Sequence, residues 1–205
     1  MKLVCLADTH NKHDQIVIPD GDVLIHAGDC TDGGSKQESK AFLEWFSLQK
    51  HKHKILVPGN HDFYFEKKPH LDIVPDNIHV LIDKAISIDG IYFWDSPVTP
   101  GSGNWAFQKE RGNQIAKHWD LIPENTDVII SHTPPYGILD DLRNGIKMGC
   151  EELTRKIKST KPKIHLFGHI HHGAGSVKRN NIRFMNATVL DEKNRIMHSP
   201  MIANL

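Results

Sequence analysis

Five short apolar runs, each about the length of a strand, recur along this chain of 205 residues. They consist mostly of leucine and β-branched residues, as in strands that are buried on both faces of a layered sheet. The runs cover residues 3–7, 23–25, 55–57, 128–130 and 164–167. Weaker strand patterns lie at 78–82, 91–94 and 183–185. The sequence therefore predicts a fold that is built on several buried strands.

Helical patterns lie between some of these strands. Ser35 and Glu38 have the spacing of a capping box, which predicts a helix over about 36–49. Two more helices are predicted over about 107–118 and about 150–160, and Pro162 would end the second of these. Strands that alternate with helices indicate a layered α/β architecture. The length fits one domain, residues 1–205.

Polar residues of metal-binding types directly follow each of the five apolar runs. Ligands of α/β proteins bind outside the carboxyl ends of the strands, so these residues are expected to meet at one edge. In chain order the segments are Asp8-Thr9-His10, Gly28-Asp29 with Asp32, Gly59-Asn60-His61-Asp62, Ser131-His132 and Gly168-His169-Ile170-His171. Any one segment alone is weak evidence, whereas five in order are far more specific.

The candidate ligands offer oxygen and imidazole nitrogen but no thiolate. Such a set suits Mn, Fe, Co, Ni or Zn, of which manganese is our first expectation. Seven ligands are too many for one tetrahedral ion, but they suit two ions, about 3.5–4 Å apart, that share a carboxylate. The seven candidates are Asp8, His10, Asp29, Asn60, His132, His169 and His171.

The order of these segments resembles the signature of the calcineurin-like metallophosphoesterase superfamily, over residues 8–171. Segments between the motifs resemble its metallophosphoesterase-domain-containing (MPPED-type) branch. They are Ser96-Pro97-Val98-Thr99-Pro100, Asn104-Trp105-Ala106-Phe107, Phe167-Gly168-His169-Ile170-His171, and the stretch from Ser131 to Asp140. The resemblance implies a four-layer sandwich, in which two mixed β-sheets pack face to face and are flanked by helices.

The resemblance also implies a role for each candidate. One metal would be held by Asp8, His10 and His171, and the other by Asn60, His132 and His169. Asp29 would bridge the two metals, His61 would be the catalytic acid, and Asp32 would orient His61. The implied activity is hydrolysis of phosphodiesters, small nucleotide-like or cyclic nucleotide substrates, through attack by a hydroxide that bridges the metals.

One departure from the better-known branches bears on the substrate. Protein Ser/Thr phosphatases have Asp-Arg-Gly where this chain has Asp32-Gly33-Gly34. The missing arginine removes a bidentate phosphate clamp, which argues against phosphoproteins and leaves room for diesters. Two alternatives stay open: a phosphomonoesterase, and a metal-binding scaffold without catalysis.

Composition narrows the choice of partners. The 25 Lys and Arg balance 25 Asp and Glu, so no global basic field attracts nucleic acid. The first apolar run is too short for a signal peptide or a membrane span, and three unevenly spaced cysteines form no disulfide framework. We therefore expect a cytoplasmic protein that acts on a small-molecule phosphate ester, with a homodimer as the base-rate expectation. Trp105, Phe107 and Tyr136 either stack a nucleobase or pack in the core or a lid.

Overall fold

A computed structural model describes residues 1–67 and 72–205 of the chain. The strands are β1 (Lys2–Leu6), β2 (Val23–Ala27), β3 (His53–Val57), β4 (His79–Val80), β5 (Lys84–Ile88), β6 (Ile91–Ser96), β7 (Thr99–Pro100), β8 (Gln108–Lys109), β9 (Val128–Ser131), β10 (Ile164–Phe167), β11 (Gly175–Arg179), β12 (Ile182–Asn186) and β13 (Met201–Asn204). The α-helices are α1 (Lys36–Ser47), α2 (Phe63–Lys67), α3 (Asn113–Trp119) and α4 (Glu151–Thr160), and short 3₁₀ helices cover His13–Gln15 and His171–Gly173.

Most of the strands form two mixed sheets. The first has the order β13-β1-β2-β3-β4, in which β1 to β4 are parallel and β13 is an antiparallel edge. The second has the order β11-β12-β10-β9-β6-β5, with antiparallel strands at both edges. The pair β7-β8 stands apart from both sheets.

The two sheets pack face to face through one buried apolar layer. Alternate residues of β1 to β3, such as Cys5, Ile25 and Ile55, pack in one buried cluster with residues of the second sheet, such as Ile130 and Leu166. Alternation is expected because successive side chains of a strand point to opposite faces. Both faces are buried, which explains why these strands appear in the sequence as continuous apolar runs.

Helices cover both outer faces. Phe42, Leu43 and Phe46 of α1 pack on the outer face of the first sheet. Trp119 of α3 and Leu153 of α4 pack on the outer face of the second. The order of layers is thus helix, sheet, sheet, helix, and the prediction of a four-layer sandwich is confirmed.

Two predicted helices have different bounds in the structure. The capping box of α1 forms as expected, but the helix ends at Ser47, two residues early. The expected start of a helix at Phe107 is wrong, because that residue has a φ of 56° and the next two residues form β8. α3 begins only at Asn113. Within the described residues, no helix is both long and apolar enough to cross a bilayer.

The edge strands β5, β11 and β13 were not predicted. Most of their residues are partly or fully exposed, so their sequences lack an apolar run. The predicted strand at 78–82 shrinks to two residues in β4.

One contact joins the two sheets at the edge that carries the polar residues. The Ala7 amide donates to the carbonyl oxygen of Ala187 at 2.9 Å, and the Val189 amide donates to the Ala7 carbonyl oxygen at 3.1 Å. Ala7 follows β1 of the first sheet, whereas residues 187–189 follow β12 of the second. The carboxyl ends of both sheets therefore meet, and polar residues from each face a common space.

Candidate metal centre

The ligand-type side chains predicted from sequence converge at this edge. Three clusters each bring their ligand atoms within 4.8 Å of one another. They are Asp8 with His10 and His171, Asp29 with His132 and His169, and His10 with Asp32 and His61. Donors that lie more than a hundred residues apart in sequence are thus brought together.

In the first cluster, the Asp8 carboxylate is fully buried. Its Oδ1 lies 3.8 Å from Nε2 of His171. Nδ1 of His171 lies 3.0 Å from the carbonyl oxygen of Asp191, and it must donate there because a carbonyl only accepts. When that imidazole is neutral, its Nε2 lone pair faces the carboxylate, which is the usual arrangement of a histidine metal ligand.

The second cluster repeats this arrangement around His132. Nδ1 of His132 lies 3.0 Å from the carbonyl oxygen of Ala27. Nε2 lies 3.0 Å from Oδ1 of Asn60 and 3.2 Å from Oδ2 of Asp29. When the His132 imidazole is neutral, with Nδ1–H on that carbonyl oxygen, three lone-pair atoms face one another in a buried site, and a cation between them, a proton or a metal ion, offsets their repulsion. This donor set fits a divalent metal ion.

Asp29 belongs to the cluster with His132 and also lies close to His10 of the first cluster. Its Oδ2 lies 3.8 Å from Nε2 of His10 and 3.2 Å from Nε2 of His132. Its other oxygen, Oδ1, accepts a hydrogen bond of 2.8 Å from the His61 amide. One carboxylate oxygen thus lies near an imidazole nitrogen from each set of candidate ligands.

Asp32 contacts His61 through its backbone carbonyl oxygen and not through its carboxylate. Nδ1 of His61 lies 2.7 Å from the backbone carbonyl oxygen of Asp32. The Asp32 carboxylate is 64% exposed, and its Oδ1 lies 3.6 Å from Nδ1 of His10 instead. The contact that fixes His61 is therefore independent of the type of side chain at position 32.

The electrostatics of the cluster follow from burial and from Asp29. Burial lowers the pKa of His132, but the neighbouring Asp29 carboxylate outweighs this effect and raises the pKa to about 9. Burial would raise the pKa of Asp29, yet the charges of His132 and His10 hold it well below its usual range. Burial also lowers the pKa of His169 to about 3, with His132 adding to the effect. Without a metal, a proton therefore lies between Asp29 and His132.

Four of the candidate ligands have left-handed backbone conformations. The φ angles are 55° at Asp8, 39° at His10, 55° at Asp29 and 70° at His169. Such conformations in residues other than glycine cost about 1–3 kcal/mol each and cluster at functional sites. The surrounding structure therefore stabilises a backbone conformation that these four residues would not favour by themselves.

Two glycines of the motifs are required because the backbone approaches the ligands closely. A Cβ atom at Gly168 would lie 2.3 Å from Oδ2 of Asp8. A Cβ at Gly59 would lie 2.3 Å from Oδ1 of Asp29. Any larger residue at either position would displace a candidate metal ligand.

Two supporting residues were missed by the sequence analysis. The Thr188 hydroxyl lies 2.6 Å from Oδ2 of Asp8. The Asp62 carboxylate accepts hydrogen bonds from the amides of Gly59 and Thr31, which ties the loop after β3 to the loop after β2. The sequence analysis named Asp62 only as part of a motif and gave it no role. Thr188 follows the weak strand pattern at 183–185, so the rule that polar residues after strands line the site could have identified it.

Of the three aromatic residues considered from the sequence, one is buried and two are exposed. Phe107 is only 7% exposed and packs in the apolar cluster between α1 and the first sheet. Trp105 is 47% exposed, and its ring centroid lies 4.5 Å from that of His61. Tyr136 is 41% exposed and lines a separate cavity beside α4.

The fold and the clustered ligands define a metallophosphoesterase, and the chain belongs to the calcineurin-like phosphoesterase family, whose model matches residues 1–173. It is 32% identical to human metallophosphoesterase domain-containing protein 1, over 100% of this chain and 71% of that protein. It is 35% identical to UPF0046 protein K07C11.7 of Caenorhabditis elegans, over 98% of this chain and 74% of the relative. It is 28% identical to a probable glycerophosphodiester phosphodiesterase GpdQ of Arcobacter nitrofigilis, over 75% and 58% of the two chains. Membership of the family supports a metal-dependent phosphoester hydrolase, and the resemblance to the MPPED-type branch is confirmed.

Proposed function

We propose that this chain is a two-metal phosphodiesterase for small nucleotide-like diesters, cyclic nucleotides among them. The observation that carries the proposal is the position of Asp29, whose Oδ2 lies 3.8 Å from a nitrogen of His10 and 3.2 Å from a nitrogen of His132. A carboxylate between two ligand sets is the arrangement that two-metal hydrolases use.

The candidate ligands divide between the two ions. Asp8, His10 and His171 would hold the first ion, Asn60, His132 and His169 would hold the second, and Asp29 would bind both. Carbonyl oxygens at positions 27 and 191 fix the ring orientation of two of these histidines. Oxygen and imidazole donors without thiolate favour manganese, with iron, zinc, cobalt and nickel as the competing metals.

Bound cations would supply Lewis-acid stabilisation of the phosphoryl oxygens and would increase the acidity of water at neutral pH. The protein supplies the proton for the leaving group. His61 keeps Nδ1–H on the carbonyl oxygen of Asp32, so Nε2 is the nitrogen that can hold a proton for transfer. The His61 amide is in turn anchored on Asp29, which fixes the imidazole relative to the candidate metal ligands.

The preference for diesters rests on two observations. Gly33 stands where an arginine clamp for a phosphate dianion is found in protein phosphatases, and a diester carries one charge less. One relative's name, glycerophosphodiester phosphodiesterase, describes a diester substrate.

A pair of chromogenic esters tests the proposal. The chelated protein is assayed with bis-p-nitrophenyl phosphate and with p-nitrophenyl phosphate, before and after addition of Mn²⁺. We expect diester turnover that requires Mn²⁺, that is lost in Asp29→Ala, and that persists in Asp89→Ala, a change at an exposed carboxylate. A strong monoester preference would indicate a phosphomonoesterase instead. Turnover of neither ester by a protein with two bound ions would favour the scaffold.

A further inference from the structure

Trp105 lies exposed beside the candidate acid His61. The indole is 47% exposed, and its centroid lies 4.5 Å from the imidazole of His61 with a tilt of 36°. Phe63 is nearly parallel to the indole, at 6.0 Å and 29°. Phe63 is half-buried, so the indole of Trp105 is the exposed member of this pair. Exposed tryptophans are enriched at binding surfaces, because the ring offers a large apolar area.

The two residues that follow Trp105 are fixed in place. The Ala106 amide donates to the carbonyl oxygen of Asn60 at 3.1 Å. The Phe107 amide donates to Oε1 of Glu66 at 2.8 Å. Ala106 and Phe107 are themselves buried in the core. The indole is therefore held at the surface, and a ring that stacks on it meets a preorganised partner.

The position of His61 decides which part of a substrate meets the indole. The imidazole of His61 contacts both Trp105 and His10, with ring centroids 4.5 Å and 4.6 Å away. His10 is a candidate metal ligand, whereas Trp105 is not. Because His61 would protonate the leaving oxygen and also contacts the indole, a leaving group that reaches His61 comes within reach of the indole.

A groove continues from this aromatic surface. It has a volume of about 450 Å³ and is lined by Gly33, Gly34, Phe63, Tyr64 and Lys67. Gly34 has a φ of 66°, and a Cβ there would lie 2.4 Å from the carbonyl oxygen of His61. No side chain fits at this position, so backbone alone forms the wall of the groove there. The volume and the aromatic side chains of Phe63 and Tyr64 suit a single ring system.

We propose that Trp105 and Phe63 form a subsite that stacks a nucleobase carried on the leaving-group side of the phosphodiester. The inference rests on the proposed function. In the reaction a water oxygen forms a bond to phosphorus, and the bond from phosphorus to the ribose oxygen breaks. That oxygen takes a proton from Nε2 of His61, the proton that the water loses passes to solvent, and solvent reprotonates the imidazole. The stacked base keeps the nucleoside in place meanwhile.

The first test compares two substrates that differ only in the base. Adenosine 2′,3′-cyclic phosphate and the corresponding methyl riboside 2′,3′-cyclic phosphate have the same scissile bonds. Stacking that is worth about 1–3 kcal/mol predicts that kcat/KM favours the adenosine compound roughly 5- to 150-fold. Trp105→Ala should remove most of this preference and bring the ratio towards one, whereas Trp105→Phe should keep most of it. Tyr92→Ala removes another aromatic residue of similar exposure, 45%, and should leave the ratio unchanged.

The possible failures are distinguishable. No turnover of either compound by the Mn²⁺-loaded wild type would contradict the proposed function. Turnover of both at the same kcat/KM would overturn only the subsite. An equal loss with both substrates in Trp105→Ala would also overturn it, because the indole would then merely position or shield His61.

A second test needs neither metal nor catalysis. Adenosine is titrated into the chelated protein while tryptophan fluorescence is recorded. We expect saturable quenching in the wild type that is lost in Trp105→Phe, since Trp94 and Trp119 are only 1% exposed and the half-buried Trp45 packs against His13 and Phe42, away from His61. Equal quenching in both proteins would overturn the assignment.

Discussion

Replacement of Thr188 by valine should weaken metal binding although this residue is no candidate ligand. The threonine hydroxyl lies 2.6 Å from Oδ2 of Asp8 and 2.7 Å from Oδ1 of Asn186. It has one proton, which we assign to the charged acceptor, Asp8. Valine keeps the shape of the side chain and removes only this hydrogen bond.

The expected loss follows from burial and charge. Both Thr188 and Asp8 are fully buried, and a hydrogen bond to a charged group stabilises by about 1.5–3 kcal/mol. Asp8 still accepts the amide of His169 at 3.0 Å, so the carboxylate keeps part of its orientation. Residues that orient metal ligands typically contribute about 10- to 100-fold to affinity, and we expect a loss of that order for the ion that Asp8 would hold.

Isothermal titration of Mn²⁺ into chelated protein measures this effect. The matched control is Thr126→Val, because Thr126 is also buried and its hydroxyl donates to a backbone carbonyl at 2.8 Å, outside the candidate site. Both variants should lose thermal stability, Thr188→Val more because its hydrogen bond is to a charged group, but only Thr188→Val should lose affinity. An affinity within twofold of the wild type would refute the argument that this hydroxyl orients Asp8.

The remaining predictions concern the proton donor, the close contacts and pH. His61→Ala should bind metal normally and lose about 10²–10⁴-fold in kcat with an alkoxide leaving group, and full turnover in that variant would remove His61 from the mechanism. Gly168→Ala should lower the metal content measured by elemental analysis, because its Cβ would lie 2.3 Å from a ligand carboxylate, whereas Gly145→Ala, with open space around it, should retain metal. Burial lowers the pKa of His132, but Asp29 raises it to about 9, so below that pH a cation must displace a proton. Metal affinity should therefore rise about tenfold per pH unit up to about pH 9. Calorimetry in buffers of different ionisation enthalpy should detect the released proton. Affinity that does not change with pH would contradict a shared proton between His132 and Asp29.

The sequence predicted the buried half of the fold well, for a physical reason. β1, β2, β3, β9 and β10 are covered on both faces, so each leaves a continuous apolar run. Edge strands such as β11 have exposed polar residues, and their backbone pairing is decided by the neighbouring strand rather than by their own sequence. The start of α3 was missed because the backbone turns at Phe107, where aromatic residues seldom have positive φ.

The candidate ligands were identifiable because each follows a predicted strand. The groups that orient them were not identifiable in this way. The contacts that orient His61, His132 and His171 come from backbone carbonyl oxygens, which every residue has. Thr188 approaches Asp8 only because residues 187–189 pair with Ala7 across the two sheets. Such long-range contacts depend on the packed fold and leave no local pattern in the sequence.

The most direct test of the account is the metal stoichiometry and magnetic coupling of the Mn²⁺-loaded protein. We predict two Mn²⁺ ions per chain and the electron paramagnetic resonance spectrum of a spin-coupled pair, which Asp29→Ala should abolish, because the Asp29 oxygen lies between His10 and His132. A single ion per chain, or two ions that show only the spectrum of isolated Mn²⁺, would contradict a centre bridged by Asp29.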